Sequence, residues 1–144
     1  MYNKFDVQNT SFVWICWQTY YTTKEVCTLF FIQKVVKWCN IRKAKELGYF
    51  IEMHYVGLDT VETAKERVKY RVQQGGHGIP EEDIEKRYIE TFEQLNIIYK
   101  DCDLIAFYDN TESFRRFAIC KKGEMVRISS NVPEWFSKVS FYNR

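Results

Sequence analysis

Residues 59–88 read DTVETAKERVKYRVQQGGHGIPEEDIEKRY, and the organisation of the chain is read outward from them. Val61, Ala64, Val68 and Val72 recur at intervals of three and four, which predicts a helix with one buried stripe. Asp59 stands in the capping position and Glu62 three residues later completes a capping box. Gly75 follows the last turn, where left-handed backbone is common. Lys65, Arg67, Lys69 and Arg71 occupy the opposite faces. Gly75-Gly76-His77-Gly78-Ile79-Pro80 forms a mobile loop. Pro80 then opens a second helix, with Glu81, Glu82 and Asp83 in its first turn, where acids suit the helix dipole. That helix is expected to run to about Tyr99, with a break near Tyr88.

Strand signals flank this pair of helices. Tyr49–Gly57 alternates and ends on a glycine, and Asp103–Asp109 carries Leu104-Ile105-Ala106-Phe107 at its heart. Upstream, Lys24–Leu47 is compatible with one long helix closed by Gly48, its last turns rich in Lys and Arg. A strand around Phe12–Trp17 is expected before it. Downstream, Arg116–Cys120 and Glu124–Ser129 flank Lys122-Gly123 and read as a hairpin, and Val132–Val139 as a short terminal helix. Helix, strand, helix, glycine loop, helix, strand is an α/β pattern with parallel strands and flanking helices.

The chain has 144 residues, 46% of them hydrophobic, enough for one domain with a core that needs no disulfides. Twenty-one Lys and Arg stand against 19 Asp and Glu, a balance that lacks the basic excess of a nucleic-acid binder. The charge is unevenly spread: residues 1–40 hold six charged residues and ten aromatics. This divides the chain into an aromatic leader, 1–39, and a domain, 40–144. Cys16, Cys27, Cys39, Cys102 and Cys120 show neither a CxxC pair nor a zinc spacing, which fits a reducing cytoplasm. No signal-peptide core or membrane span is expected, since Val26–Val36 is interrupted by Gln33 and Lys34.

Three arginines mark a candidate site. Arg67 and Arg71 lie four apart on one helix, and Arg87 lies on the next, across the glycine loop. Such a hinge can fold guanidinium groups toward one anion, the arrangement that phosphoryl transfer needs. On spacing alone, a solvated face laced with Arg–Glu pairs is the commoner outcome. His77 donates to a ligand or merely pins the loop. Asp109-Asn110-Thr111 closes a strand at the edge where α/β sheets bind ligands, or is a simple turn. Glu81, Glu82 and Asp83 are sequential and face different ways, so helix-start electrostatics explains them better than a metal.

The run Ala44-Lys45-Glu46-Leu47-Gly48-Tyr49, then Tyr55-Val56-Gly57-Leu58-Asp59, resembles the zeta-toxin family of P-loop kinases. Glu66 to Pro80, continuing through Glu81-Glu82-Asp83-Ile84 to Arg87-Tyr88, is similar to that family's lid, and Tyr108-Asp109-Asn110 to a later block. The likeness covers about residues 40–128. It implies part of a P-loop NTPase fold with a lid at about 67–88, and a transferase using ATP or GTP with Mg²⁺ on a small molecule such as UDP-N-acetylglucosamine. By the same resemblance Arg71 and Arg87 contact phosphates, Arg67 supports them and His77 orders the lid. Asp109 and Asn110 then lie near the nucleotide base.

The pattern is incomplete in this chain. That family's phosphate loop is GxxxxGK[ST], and no glycine precedes Gly48. A chain of this kind is expected to be inactive alone, and a sheet without its first strand to leave apolar surface uncovered. The alternative is a non-catalytic module whose Trp14, Trp17, Tyr20, Tyr21, Phe30 and Phe31 hold a protein partner, an antitoxin or an amino-terminal fragment.

Overall fold

A computed structural model describes residues 16–21, 26–31 and 38–141, with side chains from Ile41 onward. The elements are β1 (Cys16–Tyr21), β2 (Val26–Phe31), α1 (Trp38–Glu46), β3 (Phe50–Gly57), α2 (Val61–Gln73), α3 (Glu81–Ile98), β4 (Leu104–Asp109), β5 (Arg115–Lys121) and β6 (Glu124–Ile128). Short 3₁₀ turns at Tyr99–Asp101 and Glu134–Lys138 complete the order.

The strands make one mixed sheet in the order β2-β1-β3-β4-β5-β6. Among the described strands only β3 and β4 are parallel, Glu52 opposite Leu104 through Gly57 opposite Asp109. The expected parallel sheet is therefore confined to one pair. The reason is connection length: four residues separate β1 from β2 and two separate β5 from β6, too few for the crossover that parallel pairing needs, whereas α2 and α3 provide one between β3 and β4. At the β5–β6 turn Lys122 and Gly123 have φ of 48° and 83°, the pair of positive angles that a two-residue hairpin demands.

The long helix expected over Lys24–Leu47 is not formed. Val26-Cys27-Thr28-Leu29-Phe30-Phe31 is β-branched and aromatic, suits a pleated surface, and becomes β2. Helix α1 begins only at Trp38. The strand expected at Phe12–Trp17 begins at Cys16, and residues 12–15 lie outside the described part. Thr60, not Asp59, caps α2, accepting from the Thr63 amide at 3.1 Å. Helix α3 passes through Tyr88 unbroken because that ring is buried against the sheet side.

Along β3, Ile51, Met53 and Tyr55 point to one face. They join Ile105 and Phe107 of β4, Ile41 of α1, and Tyr88, Phe92, Leu95 and Ile98 of α3 in the main core. Trp135, Phe136 and Val139 close it from the carboxyl-terminal segment. Burying such a set supplies the bulk of the stabilisation, about 1.5–3 kcal/mol for each large apolar side chain. A smaller cluster of Ala64, Val68 and Ile84 ties α2 to α3, and Val72, the last member of the expected stripe, is exposed. On the opposite sheet face Glu52 Oε1, His54 and Tyr108 form a chain, with His54 Nε2 at 3.0 Å from Glu52 and Nδ1 at 3.2 Å from the Tyr108 hydroxyl. Among the described residues no helix is long and apolar enough to cross a membrane.

Gly57 ends β3 under the Trp135 indole, where an added Cβ would meet ring atoms at 2.3, 2.5 and 2.6 Å. The Trp135 side chain is fully buried and has nowhere to retreat. Gly57→Ala is therefore expected to cost about 1–3 kcal/mol by overpacking, read as a lower urea midpoint with unchanged slope. A wild-type midpoint would mean that the indole shifts freely.

Candidate functional site

The site candidates gather where β3 and β4 end side by side. Asp109, the last residue of β4, is buried with its carboxylate fully engaged. Oδ1 accepts from the Thr111 hydroxyl at 2.8 Å, from the Thr111 amide at 3.3 Å and from Trp135 Nε1 at 3.2 Å. Oδ2 pairs with Arg115 at 3.1 Å, and the same guanidinium donates to the Asn131 carbonyl at 2.8 Å. The Asp109 side chain, expected beside a nucleotide base, holds its own loop in place.

Arg67 crosses from α2 to this loop and donates to the carbonyls of Asn110 and Thr111, the latter at 3.0 Å. Burial pushes its guanidinium pKa down, opposed by the nearby Asp109 charge. The Thr111 hydroxyl receives the Asp59 amide at 3.1 Å, and the Asn110 amide donates to the Gly57 carbonyl at 3.0 Å. The two strand-end loops are thus laced together. Tyr88 adds a third strand of lacing, its hydroxyl donating to the Asp59 carbonyl at 2.7 Å while Lys138 Nζ donates to it at 3.2 Å. The Lys138 ammonium lies 4.8 Å from the Tyr88 ring centroid, a cation–π contact. Burial raises the Tyr88 pKa, with Lys138 acting against it.

The lid follows. Arg71, one turn beyond Arg67, donates to the His77 carbonyl at 2.7 Å, and the Gly76 amide donates back to the Arg71 carbonyl at 2.9 Å. A Cβ at Gly76 would sit 2.6 Å from Arg71 Cγ, so glycine permits the arginine to fold over the loop. His77 itself is exposed, and it is its backbone that the arginine uses. Arg87 reaches Asp83 at 4.0 Å within α3. Lys65 bridges α2 to α3 through Glu85 and Glu81, and its hydrogen bond to Glu85 holds its pKa up. Among the described residues no three His, Cys, Asp or Glu gather as a metal site.

Of the six residues singled out from sequence, Arg67, Asp109 and Asn110 share one network and Arg71 and His77 share another, while Arg87 pairs with Asp83 within α3. Thr111, Tyr88, Trp135 and Lys138 were not singled out for the site. Thr111 was within reach, since Asp-Asn-Thr after a strand invites a side-chain turn. Trp135 and Lys138 had no local signal. The leader's Trp14, Trp17, Tyr20, Tyr21, Phe30 and Phe31 side chains lie outside the described residues.

No family model matches the chain, and no solved structure matches it. Over 49 residues it is 40% identical to an uncharacterized protein of Haemophilus influenzae. That relative carries no stated activity. The matched stretch is 34% of this chain and 35% of the relative, so the chain spans about a third of the length of the curated protein it matches.

Two outcomes follow from the lacing. Asp109→Asn leaves Arg115 and Arg67 without their counter-charge and is expected to cost about 2–4 kcal/mol in urea unfolding. Tyr88 in the folded chain keeps its proton above the ordinary pKa of 10.0, so the unfolded chain ionises first. The Tyr88 contribution is full below pH 10.0 and is lost as pH rises through the folded value. Tyr88→Phe should make the alkaline fall in stability shallower; an unaltered alkaline limb would refute this role.

Proposed function

We propose that this chain carries the lid and strand-end part of a zeta-toxin-like P-loop kinase, and that it binds ATP or GTP with Mg²⁺ without transferring phosphate itself. The observation that carries the reading is the seating of the lid. Arg67 fastens α2 to the loop after β4, and this places Arg71 one turn further along, at the glycine hinge. A guanidinium so held is suited to a phosphate, because Arg offers a rigid fork of donors with a permanent charge. Exchange of the His77 carbonyl for a phosphate oxygen would free the hinge to close.

The donor set fits a nucleotide. The Asp59 carboxylate and the Asn110 side-chain carboxamide make no hydrogen bond among the described residues, and both belong to the laced loops. Mg²⁺ takes one or two carboxylates plus phosphate oxygens, and Asp59 would hold it here. When bound, the ion neutralises charge on the phosphates. The acceptor, by resemblance, is a small molecule of the UDP-N-acetylglucosamine kind. Transfer needs a phosphate-cradling loop, which residues 1–144 do not contain, since no glycine precedes Gly48. The Cys102 and Cys120 thiols are buried and form no disulfide, in keeping with a reducing cytoplasm.

Arg71→Ala is expected to weaken MgATP binding at least about tenfold, or about 1.4 kcal/mol, in a calorimetric titration. Its far-UV circular dichroism should match the wild type. Equal affinity in a folded variant removes Arg71 from the reading.

A further inference from the structure

Glu52, His54 and Tyr108 lie on the sheet face turned away from α1 and α3, and the strand-end network uses none of them. His54 Nε2 is 3.0 Å from Glu52 Oε1, and its Nδ1 is 3.2 Å from the Tyr108 hydroxyl. A carboxylate can only accept, so in the neutral imidazole Nε2 carries the proton and donates to Glu52. Nδ1 then turns its lone pair toward Tyr108, and the hydroxyl donates to it. The Tyr108 ring stacks on His54, with centroids 5.7 Å apart, and on Phe114, at 4.9 Å and 8°. Its hydroxyl is thereby fixed in direction before any reagent arrives. The His54 side chain is 33% exposed and Tyr108 is half-buried, so a small molecule can reach the group. Arg116, exposed on β5, stands directly opposite Tyr108 in the register.

We propose that Tyr108 is a nucleophile that accepts acyl groups from small activated esters, with His54 as its general base and Glu52 positioning the imidazole. A hydroxyl bonded to a base, itself bonded to an orienting carboxylate, is the arrangement that activates a weak nucleophile. The phenolic oxygen attacks the ester carbonyl, and its proton passes to His54 Nδ1. The bond from the carbonyl carbon to the leaving oxygen then breaks. That oxygen departs with the electron pair and takes the proton from His54, leaving an acyl ester on Tyr108 and a neutral imidazole. Arg116 brings a positive charge to the neighbouring strand, where it favours the oxyanion formed on the way.

The test treats the full chain with p-nitrophenyl acetate and maps the acetyl group by peptide mass spectrometry. Tyr70, 60% exposed, is the internal control for simple accessibility. Tyr108 is expected to acetylate at least about tenfold faster than Tyr70, and His54→Gln to remove that advantage in a chain of unchanged circular dichroism. Long-range ¹H–¹⁵N spectra of the wild type should show His54 as the Nε2–H tautomer. Glu52→Leu removes the acceptor and should lose both that tautomer preference and the advantage of Tyr108. Equal labelling of Tyr108 and Tyr70, or an Nδ1–H tautomer in the wild type, overturns the assignment. So does a Tyr108 rate that survives His54→Gln, and one that survives Glu52→Leu overturns the role of the carboxylate. Should a variant fail to fold, the wild-type labelling ratio and tautomer decide.

Discussion

A buried carboxylate with four hydrogen bonds organises this molecule. Asp109 ends β4, and from that point it gathers a hydroxyl and an amide from Thr111, the Trp135 indole and the Arg115 guanidinium. Each partner comes from a different need. Thr111 turns the chain out of the strand, Arg115 starts β5, and Trp135 brings the carboxyl-terminal segment onto the core. A charge at this depth is tolerable only because both carboxylate oxygens are hydrogen-bonded and one faces a guanidinium. The demand runs outward, since Trp135 can reach Asp109 only by lying flat on Gly57, which has no side chain to obstruct it.

The α2–α3 pair is attached to this centre by polar contacts and to itself by apolar ones. Arg67, Thr111 and Tyr88 grip backbone carbonyls and amides of the strand-end loops. Between α2 and α3 lie Ala64, Val68 and Ile84, helped by the Lys65 bridges. Three small apolar side chains bury far less surface than the main core, so opening between the helices is cheap compared with unfolding. The glycine loop supplies the freedom and the arginine on His77 supplies the restraint.

Much of this was legible where the pattern was local. The three-and-four spacing at Val61, Ala64 and Val68, the Pro80 helix start and the Lys122-Gly123 turn all depend on near neighbours, and each was found where expected. The cap was misplaced by one residue because Asp59 and Thr60 are both competent, and Thr60 Oγ1 is the one bonded to the Thr63 amide. The helix expected through Val26–Phe31 failed because a continuous apolar run of that kind serves strand and helix alike, and pairing with β1 decided it. At the site, Arg67 and the Asp109 loop were visible as types. That Asp109 looks inward depends on Trp135, 26 residues away, and no spacing rule reaches that far.

The lone parallel pair also sets the order in which the chain can assemble. Lys121 meets Glu124 across a two-residue turn, a closure that takes microseconds, whereas Glu52 meets Leu104 only after some fifty intervening residues have been gathered in. Packing α2 against α3 shortens that gap, so the helix pair is part of the scaffold's construction. A chain cleaved within the glycine loop would lose the tether as well as the hinge. Its two pieces would then have to find each other by diffusion before β3 and β4 could lie side by side.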